Sequence, residues 1–320
     1  APTPATSTLS GGTDGATGVT SSTLVGVDTN PRTGIYALRG TSCSHACIPD
    51  LADITQEANL ILFGQSEGVC VHAAGSPGET PTQAQTNRNT SGSNSQWLRR
   101  WLGDWTYWQD NTNNVQRLLG PQIFGCAMMA VLQPQQSSLN TVARGVIATQ
   151  RSVTGNPYGQ DELAVLTQND IDVICNPIPA GPSFGCRIGL TCSSNDAANT
   201  DNWPGLTSFI ARSLAGPGAL GTLIGQTITP SFFATGLGML NNFFAQLQGT
   251  SPPTINGFSV LFGTTNNPSP QIAQGIVVAQ CWVQYLAIAR IFVVNLQTGA
   301  TVVLPANSNT PPTSIVANAA

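Results

Sequence analysis

The sequence predicts an α/β protein in the broad α+β sense, with mixed β-sheets flanked by helices and organised as two lobes. Three observations carry this expectation. Short β-branched runs alternate with helical patterns through the first 190 residues or so, a long segment at 229–248 carries a single apolar stripe, and the stretch 276–304 returns to strands. With 320 residues and 41% hydrophobic content, the chain is large enough to bury a substantial core.

Taken in order, residues 1–10 form a Pro/Ser/Thr/Ala leader expected to be flexible. Gly11, Gly12, Thr13, Asp14 and Gly15 then make a turn that introduces the folded unit. A strand at 44–48, a helix at 49–68 with apolar Leu51, Ile54, Ala58, Leu60 and Ile61, and a strand at 69–74 read as one βαβ unit with parallel pairing. The pattern at 80–101 predicts a helix, and 105–108 a short aromatic strand or turn. The segment 121–132 is apolar nearly all round and predicts a buried helix. Strands at 142–149, 171–175 and 184–192, with a helix at 160–166, complete a first lobe spanning 11–195.

The second lobe spans 196–304. A helix at 203–215 carries Pro204 in its first turn. The helix at 229–248 has Thr229 as N-cap, Pro230 at its first position and Gly249 just past its end. Phe233, Leu237, Leu240, Phe244 and Leu247 fall on one stripe of it. Strands follow at 258–262, 276–285, 291–296 and 301–304, the last two joined as a hairpin through Gln297, Thr298, Gly299 and Ala300. Residues 305–320 read as a flexible tail.

Charge excludes several functions. Only 8% of the residues are charged, against about 25% in an ordinary soluble domain, and every basic residue is arginine. With a net charge of −4 and no basic run, there is no electrostatic footprint for nucleic acid or an anionic membrane. The apolar stretch 275–296 is interrupted by Gln280, Gln284 and Arg290 and reads as strands, not as a membrane span. Low surface charge fits a subunit largely covered by copies of itself, since charged residues are depleted at interface cores.

The motifs that suggest catalysis do not hold together. Gly181-Pro182-Ser183-Phe184-Gly185 matches the nucleophile elbow G-x-S-x-G, but a strand is expected after it, and both histidines, His45 and His72, lie upstream. Gly216 to Gly221 matches G-x-G-x-x-G but follows a helix, with no acidic residue soon after it, and reads as a helix-to-helix turn. Asp161 and Glu162 suit a helix start. Asp170 and Asp172 flank a strand entry with no basic or nucleophilic partner nearby in the chain.

Eight cysteines need not form disulfides in a chain this long. Cys126, Cys175, Cys186, Cys192 and Cys281 sit in or beside apolar segments and are expected as buried thiols. Cys43, His45 and Cys47 alternate along one strand and Cys70 and His72 along another, so five soft ligands could converge on Zn²⁺ if the strands are neighbours. Both segments also alternate as core strands do, and C-x-H-x-C is not a common zinc spacing, so no metal, cofactor or catalytic residue is assigned. The aromatic cluster at 97–108 is expected in the core.

The order of the unusual segments is more telling. The Gly11–Gly15 turn precedes Thr33-Gly34-Ile35-Tyr36-Ala37-Leu38, then Gly103-Asp104-Trp105, Gln136-Ser137-Ser138-Leu139-Asn140, and Asn169-Asp170-Ile171-Asp172-Val173-Ile174-Cys175-Asn176-Pro177. Asn266-Asn267-Pro268 and Val293-Val294-Asn295-Leu296-Gln297 close the series. This order resembles the core of tail sheath proteins of contractile-tailed bacteriophages and related particles, from about residue 9 to residue 304.

The resemblance implies a structural subunit and no enzyme. It would stack as hexameric rings in a helical tube around the tail tube, with baseplate and tail terminator proteins as further partners, and contract to drive the tube through the host envelope for genome ejection. It implies a place in the virion tail after assembly in the host cytoplasm, without nucleic-acid binding or membrane insertion. In this family C-terminal strands join neighbouring subunits by sheet augmentation, which points to Ile291, Phe292, Val293, Val294, Asn295 and Leu296 with Thr301, Val302, Val303 and Leu304. Family members carry a longer segment before the Gly-Gly-Thr-Asp-Gly turn, so a fragment is expected. The rival reading is a secreted hydrolase or carbohydrate-binding module, for which disulfides would speak. A zinc-dependent enzyme using the cysteine–histidine cluster is a second rival.

Overall fold

In the computed structural model, which describes residues 18–216, 218–291, 293–296 and 315–318, a parallel ladder organises the first half. After a short helix α1 (Ser21–Val25), β1 (His45–Cys47), α2 (Glu57–Glu67) and β2 (Cys70–Ala74) form the expected parallel βαβ unit, with His45 opposite Cys70 and Cys47 opposite His72. The helix is shorter than the sequence pattern suggests. Asp53 accepts a hydrogen bond from the Thr55 amide at 2.9 Å, which holds 54–56 in a separate tight turn before α2 begins.

The expected helix at 80–101 divides in two, which is a correction. Helix α3 (Pro81–Ser91) is capped by Thr80, whose hydroxyl accepts from the Gln83 amide at 3.3 Å. It stops at Gly92, which takes the left-handed conformation at φ 58°. The chain then re-enters the sheet as β3 (Leu98–Trp101), parallel to β2, with His72 opposite Arg99 and Ala74 opposite Trp101. Its two adjacent arginines, Arg99 and Arg100, are both 0% exposed.

Three antiparallel strands come next in space: β4 (Thr106–Asp110), β5 (Val115–Leu119) and, after helix α4 (Pro121–Val131), β6 (Val146–Thr149), with β4 in the middle. Helix α4 buries one face, Phe124, Gly125, Met128 and Met129, and leaves Val131 exposed, so it is amphipathic rather than buried all round. Helix α5 (Gln160–Gln168) leads into β7 (Ile171–Asp172), which completes the parallel sheet in the order β1-β2-β3-β7. Glu162 accepts from the Gly159 amide at 2.9 Å at the start of α5, the helix-start role its position suggested. The short β8 (Ile174–Cys175) and β9 (Gly185–Cys186) pair antiparallel, so the expected strands at 171–175 and 184–192 are present only as brief ladders.

The second half starts with α6 (Asn202–Ala215) and α7 (Pro230–Gly249). Thr229 caps α7 as expected, its hydroxyl accepting from the Phe232 amide at 3.2 Å. Phe233, Leu240 and Phe244 are buried, while Leu237 and Leu247 pack around the same core. β10 (Gly257–Leu261), the short helix α8 (Ser269–Ala273) and β11 (Gln280–Gln284) follow, with β10 and β11 antiparallel. β12 (Val293–Leu296) and β13 (Ile315–Asn318) pair antiparallel as a sheet of their own. The leader at 1–10 and the glycine turn at 11–15 lie outside the described residues.

Core residues segregate along the chain. Leu60, Phe63, Val71 and Leu98 pack on one side of the parallel sheet, while Trp101, Phe124, Met128 and Ile174 form another cluster with Ala74. Leu206, Ile210, Phe232, Leu240, Phe244, Ile255 and Phe262 make a cluster of their own in the second half. Trp101 and Trp105 are buried, as the aromatic cluster suggested. Cys281 is exposed, contrary to expectation, although it lies opposite Val260 in the β10–β11 ladder.

Two glycines of α7 make opposite tests of this packing. A Cβ on Gly236 would lie 2.4 Å from the Phe262 ring, whereas one on Gly238 would meet nothing within 4 Å. Gly236→Ala is expected to destabilise by about 1–3 kcal/mol through overpacking. Gly238→Ala is expected to stabilise by about 0.5–1 kcal/mol through lost chain entropy. Urea midpoints of the two variants against the parent decide both.

Candidate assembly surface

The ladder of β10 and β11 packs on one side and is open to solvent on the other. β10 turns Phe258 and Val260 toward α7, and Val283 and Tyr285 join them. The opposite side of this two-stranded ladder carries Trp282, which is 55% exposed opposite Ser259. Two-stranded ladders are marginal alone, and unpaired edges are templates for further strands.

A cleft of about 850 Å³ runs beside this ladder, lined by Trp203, Phe258, Trp282, Tyr285, Ile288 and Arg290 among others. Trp203 meets Tyr285 edge-on with ring centroids 4.8 Å apart, and the Tyr285 hydroxyl lies 3.0 Å from that of Thr207. Burial pushes the Tyr285 phenol above its ordinary pKa, against a smaller opposite pull from the Thr207 hydrogen bond. The end of β11 is thus pinned to α6, while the residues after it run along the surface. Ile291, expected in a strand, lies outside one and is 78% exposed.

Of the residues singled out in the sequence, Val293, Val294, Asn295 and Leu296 form β12. Phe292, Thr301, Val302, Val303 and Leu304, with the turn between the two expected strands, lie outside the described residues. The partner of β12 is β13, with Val293 opposite Asn318 and Leu296 opposite Ile315. Within the tail expected to be flexible at 305–320, residues 315–318 thus form a strand, and the others lie outside the described residues. The β-branched pair Ile315 and Val316, set in a Pro/Asn/Ser/Ala stretch, was the available signal.

Beneath this surface lies the polar feature that the sequence did not reveal. Arg99 and Arg100 leave β3 on opposite faces of the sheet, as neighbours in a strand must. The Arg99 guanidinium donates from Nε to Asp172 at 3.1 Å and from its Nη2 to Ser138 at 2.7 Å, lies 2.9 Å from Asp201 at the start of α6, and sits 4.4 Å from the Trp101 ring centroid. Burial pulls its pKa down, but Asp172 and Asp201 outweigh that and hold it above the ordinary arginine value. Arg100 pairs with Glu57 and, at 3.0 Å, with Glu79. Ser93 donates to Glu57 at 2.6 Å, and the Gly103 amide donates to Glu79 at 3.0 Å. Asp172 therefore has the basic partner that its sequence neighbourhood lacks, and Asp170 lies 3.9 Å from Arg88. The Arg99–Asp201 contact ties the parallel sheet to α6, and Arg212 of α6 donates to the carbonyls of Ser42 and Cys43 beside β1.

The cysteine–histidine cluster is partly assembled. The ligand atoms of His45, Cys70 and His72 lie within 4.8 Å of one another, while Cys43 and Cys47 fall outside that group. His45 Nδ1 and His72 Nε2 are 3.1 Å apart, and the Trp101 indole N–H donates to His72 Nδ1 at 3.2 Å. The indole has only a proton to give. Neutral His72 therefore carries its own proton on Nε2, pointed at His45. A metal-bound histidine donates its second nitrogen outward instead, so the donor set does not fit a metal held through His72. Ser183 hydrogen-bonds to neither histidine, since the two rings engage each other and Trp101.

Both histidines are held neutral. Burial, then Arg99 and Arg212, pulls His45 down to about 3, and burial with the neighbouring His45 and Arg99 pulls His72 well below its ordinary value. The unfolded chain binds protons near pH 6.5 that the folded chain refuses, so stability is full above about pH 7 and falls as pH drops below 6.5. Each histidine contributes up to about 1.4 kcal/mol per pH unit. Asp170 opposes this with one proton, since burial lifts it to about 6 against the partial pull of Arg88. Urea midpoints at pH 7.5 and 5.5 are expected to show the loss, and Asp170→Asn is expected to deepen it.

These features define a class: an α+β structure with a buried, ion-paired parallel sheet and short antiparallel ladders toward its C-terminus. No family model matches the sequence, and no curated protein is similar to it. Solved structures do match the fold. The anti-feeding prophage baseplate, 6-fold symmetrised, is similar at a TM-score of 0.63 and 14% identity over 80% of this chain and 68% of that one. The helical sheath of the same particle in its contracted state matches at 0.61 and 14% over 79% and 70%. The PVC sheath complex of an extracellular contractile injection system, in its contracted state, matches at 0.63 and 10% over 78% and 69%. The chain has the fold of contractile injection system sheath structures.

Proposed function

We propose that this chain is a structural subunit of a contractile tail sheath. In this reading, copies stack as hexameric rings around a tail tube, between baseplate and terminator proteins. Contraction then drives the tube through the host envelope, ejecting the genome in a phage tail built in the host cytoplasm. The observation that carries the reading is the sheath-like fold over about four-fifths of the chain. The low charge and the two-stranded ladders support it, since strands with open edges join subunits by main-chain hydrogen bonds while the bodies stay free to turn. The division at about residue 195 into two lobes belongs to the same reading, with the core cluster of α6, α7 and β10 as its support. Contraction needs no catalytic centre, and the subunit is not an enzyme in this proposal. Among the described residues, no helix is long and apolar enough to cross a membrane.

Trp282 tests whether the β10–β11 side is used. Trp282→Arg places a charge on an exposed apolar position and is expected to block tube formation in a sedimentation assay, with far-UV circular dichroism and melting unchanged. Tubes that form with the parent's yield would remove this ladder from the interface.

A further inference from the structure

The cleft beside the β10–β11 ladder combines aromatic rings with exposed polar groups. Side chains alternate along a strand, so Trp282 and Gln284 share one face of β11, and both are exposed. Opposite them on β10 stand Ser259 and Gly257, both small. The Gln284 Oε1 atom lies 3.6 Å from where a Gly257 Cβ would stand, so the amide lies across the floor that the glycine leaves open. Trp203 lines the cleft from α6 and meets Tyr285 edge-on, and the Tyr285 hydroxyl is held 3.0 Å from that of Thr207. These two rings are therefore in place before any ligand arrives. Asp196 and Arg290 add one carboxylate and one guanidinium to the lining.

We propose that this cleft binds a neutral oligosaccharide in the free subunit. Its volume of about 850 Å³ falls within the range of ligand pockets, roughly 300–1,000 Å³. One charge of each sign gives the lining no net charge, which disfavours nucleotides and other phosphate-bearing ligands. A purely apolar ligand would cover Gln284, Asp196 and Arg290 without giving them partners. A sugar meets both demands. Its C–H face packs on an indole or phenol ring, while its hydroxyls donate to the Asp196 carboxylate and accept from the Gln284 amide and the Arg290 guanidinium. Sugars joined through equatorial β-1,4 bonds form extended chains with flat C–H faces, which suits a cleft with rings on both sides. Binding by single chains does not depend on the sheath reading, so either can fail alone.

The test titrates the full chain with cellotriose and chitotriose, two β-1,4-linked trisaccharides, by calorimetry and by saturation transfer to the sugar C–H protons. A dissociation constant of about 0.1–5 mM is expected for at least one of them. Trp282→Ala is expected to weaken binding about tenfold or more, and Arg290→Ala about threefold or more, with far-UV circular dichroism unchanged. Val131→Ala, at an exposed apolar position on α4, is expected to bind as the parent does. Neither heat nor saturation transfer with either sugar at about 20 mM would overturn the proposal. Binding that survives both cleft substitutions would overturn it too, by placing the sugar elsewhere. A polyproline decapeptide that binds where neither sugar does would assign the rings to an extended proline-rich segment instead.

Discussion

Arg99→Met is expected to cost about 3–5 kcal/mol, because it leaves Asp172 and Asp201 buried without their cation. Domains are stable by about 5–15 kcal/mol in total, so this variant is expected to accumulate poorly or to melt far below the parent. The comparison that gives the number meaning is Arg32→Met. Arg32 lies 3.0 Å from Asp28 on the surface, and an exposed pair contributes about 0–1 kcal/mol. Denaturant titration of both variants measures the difference. Equal midpoints would show that the buried network is not what holds β3 in the sheet. Arg99 also reaches Asp201 of α6, so its loss is expected to expose the α6 contact to proteolysis before the rest of the chain.

The second large effect is expected at the C-terminus. Removing residues 315–320 takes away the whole of β13 and leaves β12 unpaired. The four-residue ladder is marginal by itself, so the melting temperature of the isolated chain is expected to change by only about 2 °C. Assembly is another matter. In the proposed sheath the same ladder would form between copies, and a few main-chain hydrogen bonds at about 1 kcal/mol each correspond to roughly a 100-fold or larger rise in the concentration needed for tubes once β13 is lost. Light scattering against protein concentration reads this. An unchanged threshold would show that β13 serves the monomer and not the interface.

What the sequence made legible was local. The βαβ unit at β1-α2-β2 and the apolar stripe of α7 could be read because their signals lie within one element: alternation at His45 and Cys47, three-four spacing from Phe233 to Phe244, a cap at Thr229. The fold resemblance could be read from the order of several such segments.

The misses share a cause. β3 was read as the end of a helix at 80–101, and the carboxylates that neutralise its two buried arginines stand far away in the chain, at Glu57, Glu79, Asp172 and Asp201. No local window contains that compensation. β5 escaped notice because its residues are largely exposed and its apolar positions, Val115, Leu118 and Leu119, do not alternate. β13 was missed because only Ile315 and Val316 distinguish it from the polar tail around it. Part of the metal cluster was assembled as its spacing allowed, but the Trp101 N–H that fixes the His72 tautomer comes from β3, the strand the sequence hid.

Electron microscopy of the full-length natural protein, with its rotational and helical symmetry measured, tests the sheath reading most directly. Hollow tubes built of six-fold rings are expected, in an extended or a contracted form. A monodisperse monomer at every concentration, with no tube even when tail tubes are supplied as a template, would contradict it.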